Sequence, residues 1–401
     1  MTVFFDEVTR YDRSLIQESI LRAFHELRVD LNGVRSAFIK VNVVRPAKPD
    51  SCVVTHPVVA EALIHVLRGL GLTEITVGDG PAAGVDGREA FKKSGYSDLC
   101  RKMKVRLVNL NEARCIKKEW DHGLLELPEE VLNSDFYINA AKMKTHFHTG
   151  VTLSIKNQQG LLTPQAKKAN HREYDLHHAL LSIAKAIQPD FIMVDAVESM
   201  EGEGPTKGKM KSTQVMVYGK DLFETDMACC QFMGVSPAQV PHLEHALQQG
   251  LCTSEPEITG EAFAGHRSVF EMPSPKPKQI LNFYSWKNYR ACAEDEHSFE
   301  KAVHLALVNP KYWFTFFPKF IYFILFKKFH LLRGKKAEVP HDAGRILCIG
   351  NCCRDVALEN KTDFVPGCPP EPEDILKAVS RMSWRSKGRD VSGQDKGPCE
   401  H

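Results

Sequence analysis

Over residues 1–265 the chain alternates short apolar runs with longer stretches whose apolar residues recur at helical spacing. Ala37-Phe38-Ile39-Lys40-Val41-Asn42-Val43 reads as a strand. Residues 57–70 carry Val58, Ala62, Ile64 and Leu67 on a helical repeat, with Thr55 or His56 before Pro57 at a natural helix start. Gly69 and Gly71 bracket its end, and Glu74-Ile75-Thr76-Val77 is the next strand. The same reasoning predicts strands at 105–108, 135–139, 191–195 and 215–218, and helices at 175–187, 221–233 and 241–249. Alternation of this kind predicts an α/β fold, a mainly parallel sheet covered by helices.

The pattern changes near residue 266. Pro273, Pro275 and Pro277 suggest a linker, and seven of the chain's 22 phenylalanines then crowd into residues 312–329. Pro318 and Lys319 interrupt that run, which is shorter than the ~20 apolar residues of a membrane span. Two readings stay open for it: peripheral contact with a membrane surface, or a helix buried against a domain or an oligomer interface. Residues 344–382 read as a small cysteine-bearing strand–loop–helix unit. The polar tail at 383–401 reads as disordered. The expected division is therefore 1–265, 266–343, 344–382 and 383–401.

Composition adds limits. With 43% hydrophobic and 25% charged residues the chain is ordinarily globular, and a net charge of +2 gives no reason to expect nucleic acid as a partner. The N-terminus lacks a basic region followed by an apolar core, so no secretory signal is expected. Twelve cysteines in that setting read as thiols and metal ligands in a reducing cytoplasm, with membrane association left open by 312–329.

The densest polar chemistry follows the strand at 135–139. Lys142, Lys144, His146 and His148 come first, then Lys156 and Asn157, then His171. In open α/β sheets, ligands sit beyond strand C-termini. Lysines there would clamp a carboxylate or phosphate, and histidines would move protons or ligate a metal. Lys142, Lys144, His146, His148 and Lys156 are the candidate catalytic groups, with His146 or His148 as proton donor. Lys40, Asn42 and His56 end or follow one strand, and Asp79 ends another. Asp195, Glu198 and Glu201 follow a third. With Asn157 and His171 these form the expected ligand-binding set, the carboxylates serving to hold a cation, orient lysines or act as bases.

Several of these strings occur in an order that resembles the domain-of-unknown-function 362 family. They are Lys40-Val41-Asn42, Asp79-Gly80, Lys142-Met143-Lys144-Thr145-His146, Lys156-Asn157-Gln158-Gln159-Gly160, Asp195 through Pro205, and Asp226 through Gly234. The resemblance covers roughly residues 30–260. It implies a prokaryotic α/β domain often accompanied by iron–sulfur modules, although this chain lacks a ferredoxin-type cysteine insertion.

Near the C-terminus, Cys348, Cys352, Cys353 and Cys368 lie on Gly- and Pro-rich segments, and four thiolates so grouped suit an iron–sulfur cluster or zinc. The phrase Gly367-Cys368-Pro369-Pro370-Glu371-Pro372-Glu373 resembles the cluster loops of the small subunits of respiratory complex I and related hydrogenases. That resemblance implies Cys352 or Cys353 and Cys368 as ligands of a 4Fe-4S cluster. The adjacent pair Cys352-Cys353 departs from the family, and Cys229-Cys230 reads as helix core. The leading expectation is an iron–sulfur oxidoreductase, passing electrons to an anionic ligand held by the central lysines and histidines. A small anionic metabolite or a redox partner protein would be its partner, and an oligomer is open. The alternative is a non-redox metal-dependent enzyme or binding protein with a structural zinc.

Overall fold

A computed structural model describes residues 1–121, 123–172, 175–273, 278–286, 293–333, 339, 344–367 and 370–382. It divides into two compact units, Met1–Pro273 and Ser274–His401.

The first unit is built on a sheet whose strands are Val3–Glu7 (β1), Ser36–Lys40 (β2), Glu74–Asp79 (β3), Arg106–Asn109 (β4), Phe136–His146 (β7), Gly150–Thr152 (β8), Phe191–Glu201 (β9), Lys209–Gly219 (β10) and Ile258–Thr259 (β11). A separate hairpin, Cys115–Trp120 (β5) with Gly123–Pro128 (β6), was not anticipated from the sequence. The order across the sheet is β11-β1-β10-β9-β7-β2-β3-β4, with β8 paired to β7. The strands from β9 to β4 run parallel, while β10 is antiparallel to β9 and to β1. The fold is thus mixed α/β with a large, mostly parallel sheet.

Helices form where the sequence places them. Pro57–Gly69, Leu176–Ala186, Leu222–Met233 and Pro241–Gln248 differ from expectation by a residue or two at their ends. Asp175 and Asp221 accept amide hydrogens at the first turns of the second and third, and Gly234 closes the third in a left-handed conformation. Cys229 and Cys230 are fully buried in that third helix.

Three strands are much longer than predicted: β10 starts at Lys209 rather than 215, and β7 and β9 take in polar residues that the sequence reading places after a strand. β7 continues from Phe136 through His146 with all 11 residues buried. Lys142, Lys144 and His146 are therefore strand residues. β9 likewise runs to Glu201, so Glu198 and Glu201 lie within a strand rather than after one. Alternation places Ile138 and Ala140 in one core and Ala141 and Met143 in another, on opposite faces of the sheet.

The second unit carries a five-stranded sheet: Lys278–Ile280 (β12), Phe283–Ser285 (β13), Phe329–Arg333 (β14), Arg345–Ile349 (β15) and Asp363–Val365 (β16), in that order. β13 to β16 are parallel. The aromatic segment and the cysteine-bearing segment, divided near residue 343 in the sequence reading, share this sheet and one core that includes Phe316, Phe323, Phe329, Leu347 and Ile375. The tail at 383–401 lies outside the described residues.

Candidate functional site

Two buried ion pairs mark the sheet, one at the C-terminal ends of β2 and β3 and one within β7 and β9. On one face Lys40, the last residue of β2, places Nζ 2.7 Å from Asp79 Oδ1 at the end of β3. Asp79 also accepts hydrogen bonds from the amides of Val43 (2.5 Å) and Gly80 (2.8 Å). On the other, Lys142 Nζ lies 3.0 Å from Asp195 Oδ2. Lys142 also donates to the Tyr11 hydroxyl at 2.7 Å, and Tyr11 donates to Asp195 Oδ1 at 2.9 Å. The His56 amide completes that carboxylate's partners at 2.9 Å.

A row of amides joins the two pairs. Lys144 Nζ donates to Asn42 Oδ1 at 2.7 Å and to the Val53 carbonyl. Asn42 Nδ2 and Lys40 Nζ both donate to Asn157 Oδ1, at 3.0 and 2.6 Å. Asn157 in turn donates to Asn139 Oδ1 at 2.7 Å. The short helix Ser154–Asn157 that carries Asn157 is held by Asp226, which accepts from the amides of Ser154 and Ile155 and from the Ser154 hydroxyl. The partners come from β2, the segment after it, β7 and this short helix, so the row ties separate elements together inside the core. Gly160 packs so closely on Lys40 and Asp79 that a Cβ there would collide with both, and Gly80 meets the Gly160 carbonyl and Lys167.

Lys167, on the helix Pro164–Arg172, was not identified from the sequence. It is buried, and its Nζ donates to the carbonyls of Gly80 (2.9 Å) and Pro81 (3.1 Å) and to Asn111 Oδ1 (2.6 Å). Burial pushes its pKa down to about 7 against partial opposition from Asp79. Lys156 donates to Gln159 Oε1, and burial with the nearby Lys40 charge lowers it to about 8. Lys144 is lowered well below the ordinary lysine value, first by burial and then by Lys142 and Lys156, and Lys40 is lowered by burial despite Asp79. Five lysines thus gather where two carboxylates pair with them.

The remaining sequence candidates fall around this centre. His56 stacks on Tyr11 at 3.9 Å, accepts the Val58 amide on Nδ1, and is lowered by burial. His146 turns its Nδ1 back to accept the His148 and Thr149 amides, shaping the turn into β8. His148 is buried beside Phe147. Glu198 is partly buried on β9, close enough to Cys52 to help burial raise that thiol to about 11. Glu201 is engaged elsewhere, with Lys211 at 2.9 Å and the Glu271 amide. The side chain of His171 lies outside the described residues.

A second histidine group also escaped the sequence reading. His177 and His242 face each other with ring centres 6.1 Å apart, and His178 stacks on His245 at 4.3 Å. His242 is buried, and neither of its ring nitrogens has a hydrogen-bond partner among the described residues. Burial, then His177, Lys156 and His245, hold it well below the usual histidine value, so it is neutral near pH 7. Pairs of histidines three residues apart, or adjacent at a helix start, were the available signal.

At the cysteine loop, Cys348 is buried near the end of β15 and Cys353 is buried as the last residue of the following turn, Asn351–Cys353. The Cys348 thiol is lowered by a hydrogen bond with Cys353 and then by Thr362. Cys352 is partly exposed, and Cys368 lies outside the described residues. Among the described residues no group of three or more His, Cys, Asp or Glu is arranged to hold a metal ion.

The chain is similar to a thylakoid-associated protein of Synechocystis sp., at 26% identity over 253 residues, which is 60% of this chain and 78% of the relative. Among solved structures it is similar to the lactate racemase apoprotein of Thermoanaerobacterium thermosaccharolyticum, with a TM-score of 0.38 and 14% identity, over 60% of this chain and 57% of that one. It is also similar to a Thermotoga maritima protein, with a TM-score of 0.32 and 14% identity, over 61% and 60% of the two chains. The chain spans less than two thirds of either structure, and likenesses this distant carry no argument about chemistry. The segment that supplies every lysine of the site is more specific: residues 38–231 match the family described as Domain of unknown function (DUF362).

Proposed function

We propose that the lysine-lined end of the first unit's sheet binds a small anionic metabolite, a carboxylate or phosphate, and moves protons on it. One observation carries this reading: Lys40 and Lys142 are matched by Asp79 and Asp195, while Lys144, Lys156 and Lys167 donate only to neutral oxygens among the described residues. Unmatched buried ammonium groups are costly, and an anion among them offsets that cost. Lysines near pKa 7 and 8 exchange protons readily at neutral pH, and the neutral His242 beside Lys156 is a second acceptor.

The test is thermal unfolding of the full chain in phosphate, pyrophosphate or malonate, against chloride at equal ionic strength. At least one of these should raise the melting temperature by several degrees in wild type and by much less in Lys144→Met. No shift with any of the three would remove the reading.

A second reading has its own observation. The neighbouring thiols of Cys348 and Cys353 are a fit start for an iron–sulfur cluster, 4Fe-4S, or for zinc, with Cys352 and Cys368 as the further donors. A cluster there would supply one-electron chemistry and make the protein an oxidoreductase with a redox partner. Zinc would brace the loop. Two adjacent sulfurs do not complete either shell, so no step is derived through the group. Protein purified without oxygen and assayed for iron, sulfide and zinc decides between them, and absence of all three defeats both.

A further inference from the structure

We propose that the aromatic helix of the second unit is a docking face for an anionic membrane surface. The helix Phe317–Phe326 buries Phe323 and packs Phe320 on the core, with Tyr312 and Phe316 buried just before it. That accounts for one side only. Phe314 is 85% exposed, Phe326 70%, Trp313 51%, Leu325 50% and Ile321 49%. Ile321 and Leu325 are four residues apart and share the helix face opposite Phe323. The Trp313 indole donates to the Leu307 carbonyl, which draws the exposed Leu307 and Val308 beside the same turn. A helix apolar around its whole circumference is normally buried, and a contiguous apolar face in water marks a contact surface.

Charge identifies the occupant. Residues 309–333 contain Lys311, Lys319, Lys327 and Lys328 and no Asp or Glu. Lys311 and Lys327 are exposed. A second copy of the chain would bring like charges together across the apolar face, whereas anionic headgroups would match them. Ten helical residues reach about 15 Å, half of a bilayer's hydrocarbon thickness, so the helix would lie in the interface rather than cross it. No helix among the described residues is long and apolar enough to cross a membrane. Trp313 and Tyr322 suit headgroup depth, and the lysine stems would extend beside the apolar groups towards the phosphates.

The experiment is sedimentation of the full chain with vesicles of phosphatidylcholine alone or mixed with phosphatidylserine. Binding should appear with the mixed vesicles, weaken with added salt, and fall at least about tenfold in the triple variant Phe314→Ser, Ile321→Ser, Leu325→Ser. Those side chains face water, and an unchanged circular dichroism spectrum and melting temperature would confirm that the fold is kept. Should the triple variant not fold, quenching of wild-type tryptophan fluorescence by brominated lipid gives the answer independently. Wild type that stays in the supernatant with mixed vesicles overturns the proposal. So does a triple variant that binds equally well, or a dimer that the triple substitution dissociates without any vesicle binding.

Discussion

The two units use lysines and large apolar residues in opposite ways. In the first, β7 buries 11 consecutive residues and takes Lys142 and Lys144 into the interior, where hydrogen-bonding partners from β9 and from the segments after β2 receive them. In the second, the helix Phe317–Phe326 is almost wholly apolar, yet several of its large side chains face water and the exposed lysines Lys311 and Lys327 flank it. Each arrangement is unfavourable in isolation. A buried charge without a counter-charge loses hydration, and an exposed apolar face orders water. Under the two proposals each cost would be offset by a bound partner: an anion inside the first unit, a membrane surface against the second.

The largest expected effects test whether the interior charges of the first unit support the fold as firmly as the aromatic core supports the second. Lys40→Ala leaves Asp79 buried without its counter-charge and should cost roughly 3–5 kcal/mol in urea unfolding. Phe323→Ala should cost about 3–5 kcal/mol through the cavity it opens, while Phe314→Ala, one helical stretch away, should change stability by less than about 0.5 kcal/mol. A Lys40→Ala cost under about 1 kcal/mol would mean that the strand ends are held by the asparagine row rather than by the ion pair.

The same contrast explains what the sequence could reveal. The alternation of strands and helices, the helix boundaries and the polar strings at strand ends were legible because apolar periodicity and capping residues determine them locally. The extension of β7 was not, since lysines read as the start of a loop. The signal was nonetheless present: Ala140-Ala141-Lys142-Met143-Lys144-Thr145-His146 keeps a two-residue repeat, with the charged residues on one face. Lys167 carried no such mark. It adjoins Lys168 on a polar helix, and only the tertiary approach of Gly80, Pro81 and Asn111 separates the buried lysine from its neighbour. Cys348 and Cys353 approach each other across one short turn, whereas Glu201 and the histidines at 177, 178, 242 and 245 depend on contacts between distant elements.

A smaller effect separates the units by pH. Folded Lys167 releases its proton near pH 7, whereas the unfolded side chain keeps it to about 10.5. Across that window the unfolded state binds more protons, so stability rises with pH and is lost as pH falls towards 7. Lys156 adds in the same direction from about 8 upwards. Asp226, raised by burial to about 7, acts oppositely at lower pH: between about 4 and 7 the folded state holds a proton that the unfolded state releases, and stability falls as pH rises. Lys167→Met should flatten the melting-temperature profile above pH 7 and leave the acid side unchanged. A profile identical to wild type would mean that Lys167 is charged in the folded protein and has found a counter-ion.

The smallest effect concerns Glu201, a sequence candidate that the fold places apart from the lysine row. Its partner Lys211 lies on the neighbouring strand β10, and both side chains retain about a fifth of their exposure, at 18% and 20%. Pairs this accessible are weakened by water and salt, and their loss typically costs about 0–1 kcal/mol. Glu201→Gln keeps the shape and one acceptor for the Glu271 amide, so unfolding free energy should move by less than about 1 kcal/mol. The anion-dependent rise in melting temperature should be the same as in wild type. A reduced anion shift in Glu201→Gln at unchanged stability would give Glu201 a share in ligand binding, and the boundary of the site would then extend along β9 beyond Asp195.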